Sequence, residues 1–152
     1  MDNKENGIGK KVIENDIFFQ EVQVFLASGK DVMFHIKGNS MLPFLSHGDK
    51  VLLSAITADD LKLGRIILAR SDWGYVLHRL VWKRGNYVWL AGDNNLVQVE
   101  KVERTSILGY VKYAEGVKGK VDVNCNGQVF MGICWFLLRP LRWLIFKIRK
   151  IF

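Results

Sequence analysis

The sequence predicts a mainly β fold: a compact antiparallel β domain behind one N-terminal helix, followed by an amphipathic C-terminal helix that seeks a membrane. Three observations predict it. Short apolar runs of strand length recur between Lys50 and Tyr113, with turn signals between them. The stretch before them, from Glu14 to Lys30, spaces its apolar residues as a helix does. Beyond residue 128 the chain becomes a mixture of large apolar and cationic residues without a single acid. With 152 residues, 49% of them hydrophobic and 24% charged, the chain is long and apolar enough for one domain with a real core, which excludes a disordered protein.

Residues 1–12 read as a flexible tail, and "MDNKENGIGKK" lacks the apolar core of a secretory leader. In "ENDIFFQEVQVFLASGK", Phe18, Val22, Phe25 and Leu26 fall at i, i+4, i+7 and i+8 and form one apolar stripe. Asn15 or Asp16 can cap this helix and Gly29 can end it. "DVMFHIK" alternates, with Val32, Phe34 and Ile36 facing one way and Met33, His35 and Lys37 the other. A turn-rich stretch, "GNSMLPFLSHGD", separates it from strands over Lys50–Ser54, Arg65–Ala69, Tyr75–Trp82, Tyr87–Ala91 and Ile107–Tyr113. "KRGN" joins two of these as a hairpin and "AGDNN" is a further turn. One domain therefore spans 13–115, and 116–128 is a connector whose Val121–Val123 could add an edge strand.

The segment 129–152 differs from everything before it. "VFMGICWFLL" is an unbroken apolar run, shorter than the ~20 residues a bilayer-spanning helix needs. In "RPLRWLIFKIRKIF", Arg139, Arg142 and Arg149 share a helical face. Cations beside aromatics suit a segment that lies in the membrane interface or dips into one leaflet. Trp135, Arg139, Arg142, Trp143 and Lys147 are its expected lipid contacts; a helix capping the domain core is the plainer alternative. The formal net charge is +7, and five cations lie between Arg139 and Phe152. The basic character is thus C-terminal rather than spread over a face. It points to membrane lipid and away from nucleic acid, and to the cytoplasmic side of the membrane. Cys125 and Cys134 make neither a zinc motif nor a disulfide framework.

Ser40 and Ser46 are candidate nucleophiles. A serine hydroxyl needs a base within reach and donors for an oxyanion, and otherwise it is a turn residue. Gly38 lets the backbone approach a substrate, and Pro43 stiffens the turn. Among the histidines, His35 lies on a polar strand face and His47 in a turn. His78 shares a face with Val76, Leu80 and Trp82, where an imidazole is either a core residue or a general base. Asp93 in "GDNN" is either a turn-former or the acid that orients an imidazole.

Together these stretches resemble a known family. "GNSMLPFLSHGDKVLL" resembles the serine box of type I signal peptidases and of the related self-cleaving SOS-repressor peptidases (S24/S26 type): a Ser-Met pair, a nearby proline, and Gly-Asp before an apolar strand. "VLHRLV" followed by "AGDNN" resembles the branch in which a histidine replaces the lysine base. The resemblance covers about Val32–Tyr113 and implies a β-rich peptidase fold of the signal-peptidase/repressor-peptidase type. It implies Ser40 as nucleophile, His78 as general base and Asp93 as supporting acid, on a turn supported by Gly38, Met41 and Pro43. Ser46 and His47 become turn residues. Gly38 stands where signal peptidases often carry a second serine, so the oxyanion would rest on backbone donors, chiefly the Ser40 N–H. The implied function is a membrane-associated serine endopeptidase that cleaves a leader or precursor peptide without metal or cofactor. The competing classes are a non-catalytic membrane-bound binding module on the same fold and a cationic membrane-perturbing or nucleic-acid-binding protein.

Overall fold

The computed structural model describes residues 6–151, with side chains from Asp16 onward. Of the expected flexible tail, residues 1–5 lie outside the described residues and the rest joins helix α1, Asn6–Ala27. The buried stripe of α1 is Phe19, Val22 and Leu26, whereas Phe18 and Phe25 stay largely exposed. The expected stripe is therefore turned slightly about the helix axis. The cause is aromatic packing: Phe19 stacks on Tyr75 at 4.5 Å between ring centroids, and Phe18 meets only the edges of Phe19 and Phe34. Gly29, at φ +78°, ends the helix, with the Lys30 N–H bonded back to the Phe25 carbonyl.

Eight strands follow: β1 (Val32–His35), β2 (Lys50–Ser54), β3 (Ile66–Ser71), β4 (Gly74–Arg84), β5 (Tyr87–Ala91), β6 (Glu100–Glu103), β7 (Ile107–Gly116) and β8 (Gly119–Val121). They form one antiparallel sheet in the order β1-β2-β7-β3-β4-β5-β6, with β8 added to β7, curled as a half-barrel. Central strand β3 is buried on both faces, which is why "IILA" reads as a continuous apolar run. Ile66 and Leu68 join the core under α1, and Ile67 and Ala69 join the opposite core with Leu80, Val88, Leu90 and Val102. Gly85, at φ +56°, provides the first central residue of the two-residue β4–β5 turn.

The pairing of β4 with β5 shifts register between Leu80 and Trp82. This bulge turns Trp82 to solvent, 57% exposed, so Trp82 does not share the buried face of His78 as expected. β6 is a strand beyond those the sequence pattern predicts; its Glu100 and Val102 point inward.

The expected connector carries β8, and its Asn124 side chain donates to the Val111 and Lys112 carbonyls. The C-terminal segment forms α2 (Asn126–Leu137) and α3 (Arg139–Ile151), bent 54° apart. Among the described residues no single helix is long and apolar enough to cross a membrane, although this bent pair passes by length and composition. α2 lies on the domain through Val129, which packs on Gly64, and through Gly132, which packs on Arg79. The apolar face of α3, with Leu141, Leu144, Ile145, Ile148 and Ile151, remains exposed.

Candidate active site

The loop between β1 and β2 is closed on itself before it holds anything else. Ile36 and Gly48–Asp49 exchange backbone hydrogen bonds, and the Gly38 N–H donates to His47 Nδ1 at 3.1 Å. The Ser46 N–H donates to Asp49 Oδ2 at 2.8 Å. Ser46 and His47 are exposed members of this scaffold, and Pro43 lies exposed on its outer side. Gly38 takes φ +91°, a conformation that favours glycine. Met41 and Leu45 anchor the turn in the core, leaving Ser40 half-buried beside them. Among the described residues, the Ser40 hydroxyl and the backbone N–H groups of Ser40 and Met41 form no hydrogen bond.

His78 is held from behind. Its Nδ1 lies 2.8 Å from Glu100 Oε2, with the two side chains only 7% and 6% exposed. A carboxylate can only accept, so Nδ1 carries a hydrogen, and in the neutral imidazole that leaves the lone pair on Nε2. The second Glu100 oxygen accepts from Gln98 Nε2 at 3.0 Å. A Cβ placed on Gly92 would stand 3.1 Å from His78 Nε2 and 2.8 Å from the Ser40 carbonyl oxygen. Gly92 is therefore the floor on which the serine turn and the imidazole meet, and only hydrogen fits there. The next turn residues complete the tie, with the Asn94 N–H donating to the Ser40 carbonyl at 2.8 Å. Ser40 and His78 line one open cavity of about 850 Å³, walled by Phe18, Phe19, Phe34 and Tyr75.

Asp93 occupies a different place from the one expected. Its carboxylate accepts from Arg79 Nε at 2.8 Å and Nη2 at 2.7 Å, both side chains being 2% exposed. The reason is strand geometry. Arg79 pairs with Ala91 across β4 and β5, and paired residues share a face. Asp93, two residues past Ala91, keeps that face, whereas His78 points to the other. Burial pushes the Asp93 carboxyl above the ordinary aspartate range, while the Arg79 hydrogen bonds and charge pull it down. Arg79 also donates to the Gly64 carbonyl at 2.7 Å and lies 4.8 Å from the Phe44 ring centre, with Gly132 of α2 against it. Thus Glu100, not Asp93, is the acid on the imidazole.

Three expected lipid contacts are also turned elsewhere. Trp135 Nε1 and Arg142 Nη2 both donate to the Asp93 carbonyl, at 2.9 and 3.1 Å. Arg139 donates to the Asn95 and Gln98 carbonyls at 2.6 and 2.8 Å. Trp143 and Lys147 remain exposed, with the ammonium 4.2 Å from the indole centre. Among the described residues, no group of three His, Cys, Asp or Glu converges as metal ligands would.

Residues 4–112 match the family model described as Peptidase S24-like. The chain belongs to the Peptidase S24-like family. A search of curated proteins finds no match. At the coarse level, S24-like membership supports a peptidase- or repressor-type fold and a possible serine peptidase. The matched span runs from α1 into β7, so it contains the serine turn, His78 and Glu100 and stops before α2 and α3. Within this S24-like domain the site offers, among the described residues, an unengaged serine hydroxyl, an imidazole held by a carboxylate in the same cavity, and two free backbone donors on the serine turn. Those are the parts that acyl transfer requires.

Proposed function

We propose that this S24-like chain is a membrane-associated serine endopeptidase that cleaves a leader or precursor peptide in the manner of a signal peptidase. One observation carries the catalytic part: Glu100 holds His78 by Nδ1, so that Nε2 lies over Gly92 beside the Ser40 turn. In the proposed reaction the Ser40 oxygen bonds to the peptide carbonyl carbon as its proton passes to His78 Nε2. The Ser40 and Met41 N–H groups, otherwise unbonded among the described residues, stabilise the oxyanion. Nε2 returns the proton to the leaving amine as the C–N bond breaks. Water then hydrolyses the ester and restores the serine. Glu100 keeps the imidazole in its tautomer and stabilises the imidazolium that forms. The Arg79–Asp93 pair shapes the turn next to the site without touching the imidazole.

The aromatic wall of the cavity suits apolar substrate side chains. The exposed apolar face of α3, flanked by Lys147, Arg149 and Lys150, supports the membrane part of the proposal and a position on the cytoplasmic face. Comparison of protein N-termini in cells carrying wild type or Ser40→Ala tests the whole reading. Precursors should accumulate in the mutant and identify the substrates. An unchanged set of N-termini would leave a non-catalytic binding module as the better account.

A further inference from the structure

The loop between β5 and β6 carries three groups that the proposed site depends on. Gly92 forms its floor, the Asn94 N–H holds the Ser40 carbonyl, and Gln98 holds the second oxygen of Glu100. Within itself the loop has a single backbone bond, from the Asn95 N–H to the Gly92 carbonyl at 3.0 Å. Side chains tie it to the sheet through Arg79–Asp93 and Gln98–Glu100, and the C-terminal helices hold its backbone through the carbonyls of Asp93, Asn95 and Gln98.

The geometry points to a bracing role: Trp135, Arg139 and Arg142 are positioning residues for the catalytic centre, and α2–α3 is a working part of the peptidase as well as a membrane attachment. This rests on the function proposed above. Arg139 is the main brace. The residue is 7% exposed, and its guanidinium spans two carbonyls three residues apart, which sets the curvature of the loop. Burial lowers the affinity of Arg139 for its proton, yet a guanidinium stays charged, and the carbonyls and the Phe136 ring at 5.0 Å replace its water. Arg142 lies 4.0 Å from the Trp135 ring centre, and both donate to the same Asp93 carbonyl. Arginines serving only to hold anionic lipid would point away from the domain. These two point into it, onto carbonyls of Gln98, which holds Glu100, and of the two neighbours of Asn94, which holds Ser40. The family match ends before these helices, so the brace is an addition to the S24-like domain.

The test uses the full chain and two independent readouts. One is inactivation of Ser40 by a fluorophosphonate, resolved into limiting rate and apparent affinity. The other is the ¹⁵N signature of His78, which reports the Nδ1–H tautomer. Arg139→Gln should lower the limiting rate by roughly tenfold or more with little change in affinity, as small misplacements of reacting groups do. It should also replace the single His78 tautomer by a mixture, and Arg139→Lys should recover part of both. Trp135→Phe removes only the indole donor and should give a smaller change in the same direction; it decides the matter if Arg139→Gln does not fold. Wild-type rate and tautomer in a folded Arg139→Gln protein, or in Trp135→Phe if that is the only one to fold, would overturn the brace. A wild-type protein that reacts no faster than Ser40→Ala would instead overturn the peptidase proposal, while the tautomer still reports on the brace.

Discussion

Glu100→Gln alters hydrogen bonding at the site while keeping its shape. The native carboxylate accepts from His78 Nδ1 at 2.8 Å and from Gln98 Nε2 at 3.0 Å. A carboxamide has one acceptor and one donating end, so it cannot serve both. If its oxygen turns to Gln98, its NH₂ faces Nδ1, and the imidazole hydrogen moves to Nε2. His78 then cannot take the serine proton, and the general-base contribution of about 10²–10⁴-fold is lost. If its oxygen turns to His78, the tautomer survives but the charge that stabilises the imidazolium is gone. Hydrogen bonds to charged groups contribute about 1.5–3 kcal/mol against about 0.5–1.5 for neutral ones, so this arrangement still slows reaction by roughly tenfold. The expected loss is therefore between about 10-fold and 10⁴-fold in the rate of Ser40 inactivation by a fluorophosphonate. The ¹⁵N spectrum of His78 identifies which arrangement prevails. A Glu100→Gln protein that is folded, keeps the native tautomer and reacts at the wild-type rate would refute the assignment of Glu100.

Gly92→Ala places a methyl 2.8 Å from the Ser40 carbonyl and should cost about 1–3 kcal/mol of stability, read from denaturant midpoints, with slower Ser40 labelling. Asp93→Ala leaves the buried Arg79 charge unpaired and should cost about 3–5 kcal/mol, far more than substitution of an exposed acid such as Asp59. Asp60 is held at a pKa of about 2, below its ordinary 3.8, by hydrogen bonds first from Arg65 and then from Thr57. Its depressed value makes its contribution complete above 3.8 and lost as pH falls through about 2, so wild type should exceed Asp60→Asn in melting temperature at pH 5 and converge with it below pH 2. Ile148→Glu, on the exposed face of α3, should weaken co-sedimentation with anionic vesicles by roughly tenfold or more, and unchanged sedimentation would count against that face as the lipid contact.

Much of the sheet was legible because its strands alternate or run apolar between turn residues. Lys50–Ser54 and Tyr87–Ala91 match β2 and β5 to the residue. The serine turn and "GDNN" were legible as neighbours in function, and Gly92, Asn94 and the Ser40 carbonyl supply the contact between them. Glu100 was missed because hydropathy assigns a glutamate in a short charged strand to solvent. The signal that could have found it is the phase it shares with Val102. For Asp93 the residues leave a turn-former and an imidazole-orienting acid both open and the resemblance implies a supporting acid, but the β4–β5 register decides the face, and register is set by pairing that no local pattern records. The same limit explains Arg139 and Arg142. A cation on an apolar helix reads as lipid-facing until the folded domain presents backbone carbonyls to it, as Asp93, Asn95 and Gln98 do here.

At Gly132, α2 lies directly against the Arg79 guanidinium, and any side chain there would overlap it. The helix thereby shuts dissolved ions away from the Arg79–Asp93 pair. Exposed ion pairs weaken as salt rises, and covered ones respond much less. Ionic strength thus becomes a gauge of helix seating: the Arg79–Asp93 coupling, read by a double-mutant cycle, should change little with salt in the docked protein and should weaken with salt in a Gly132→Leu protein with α2 lifted.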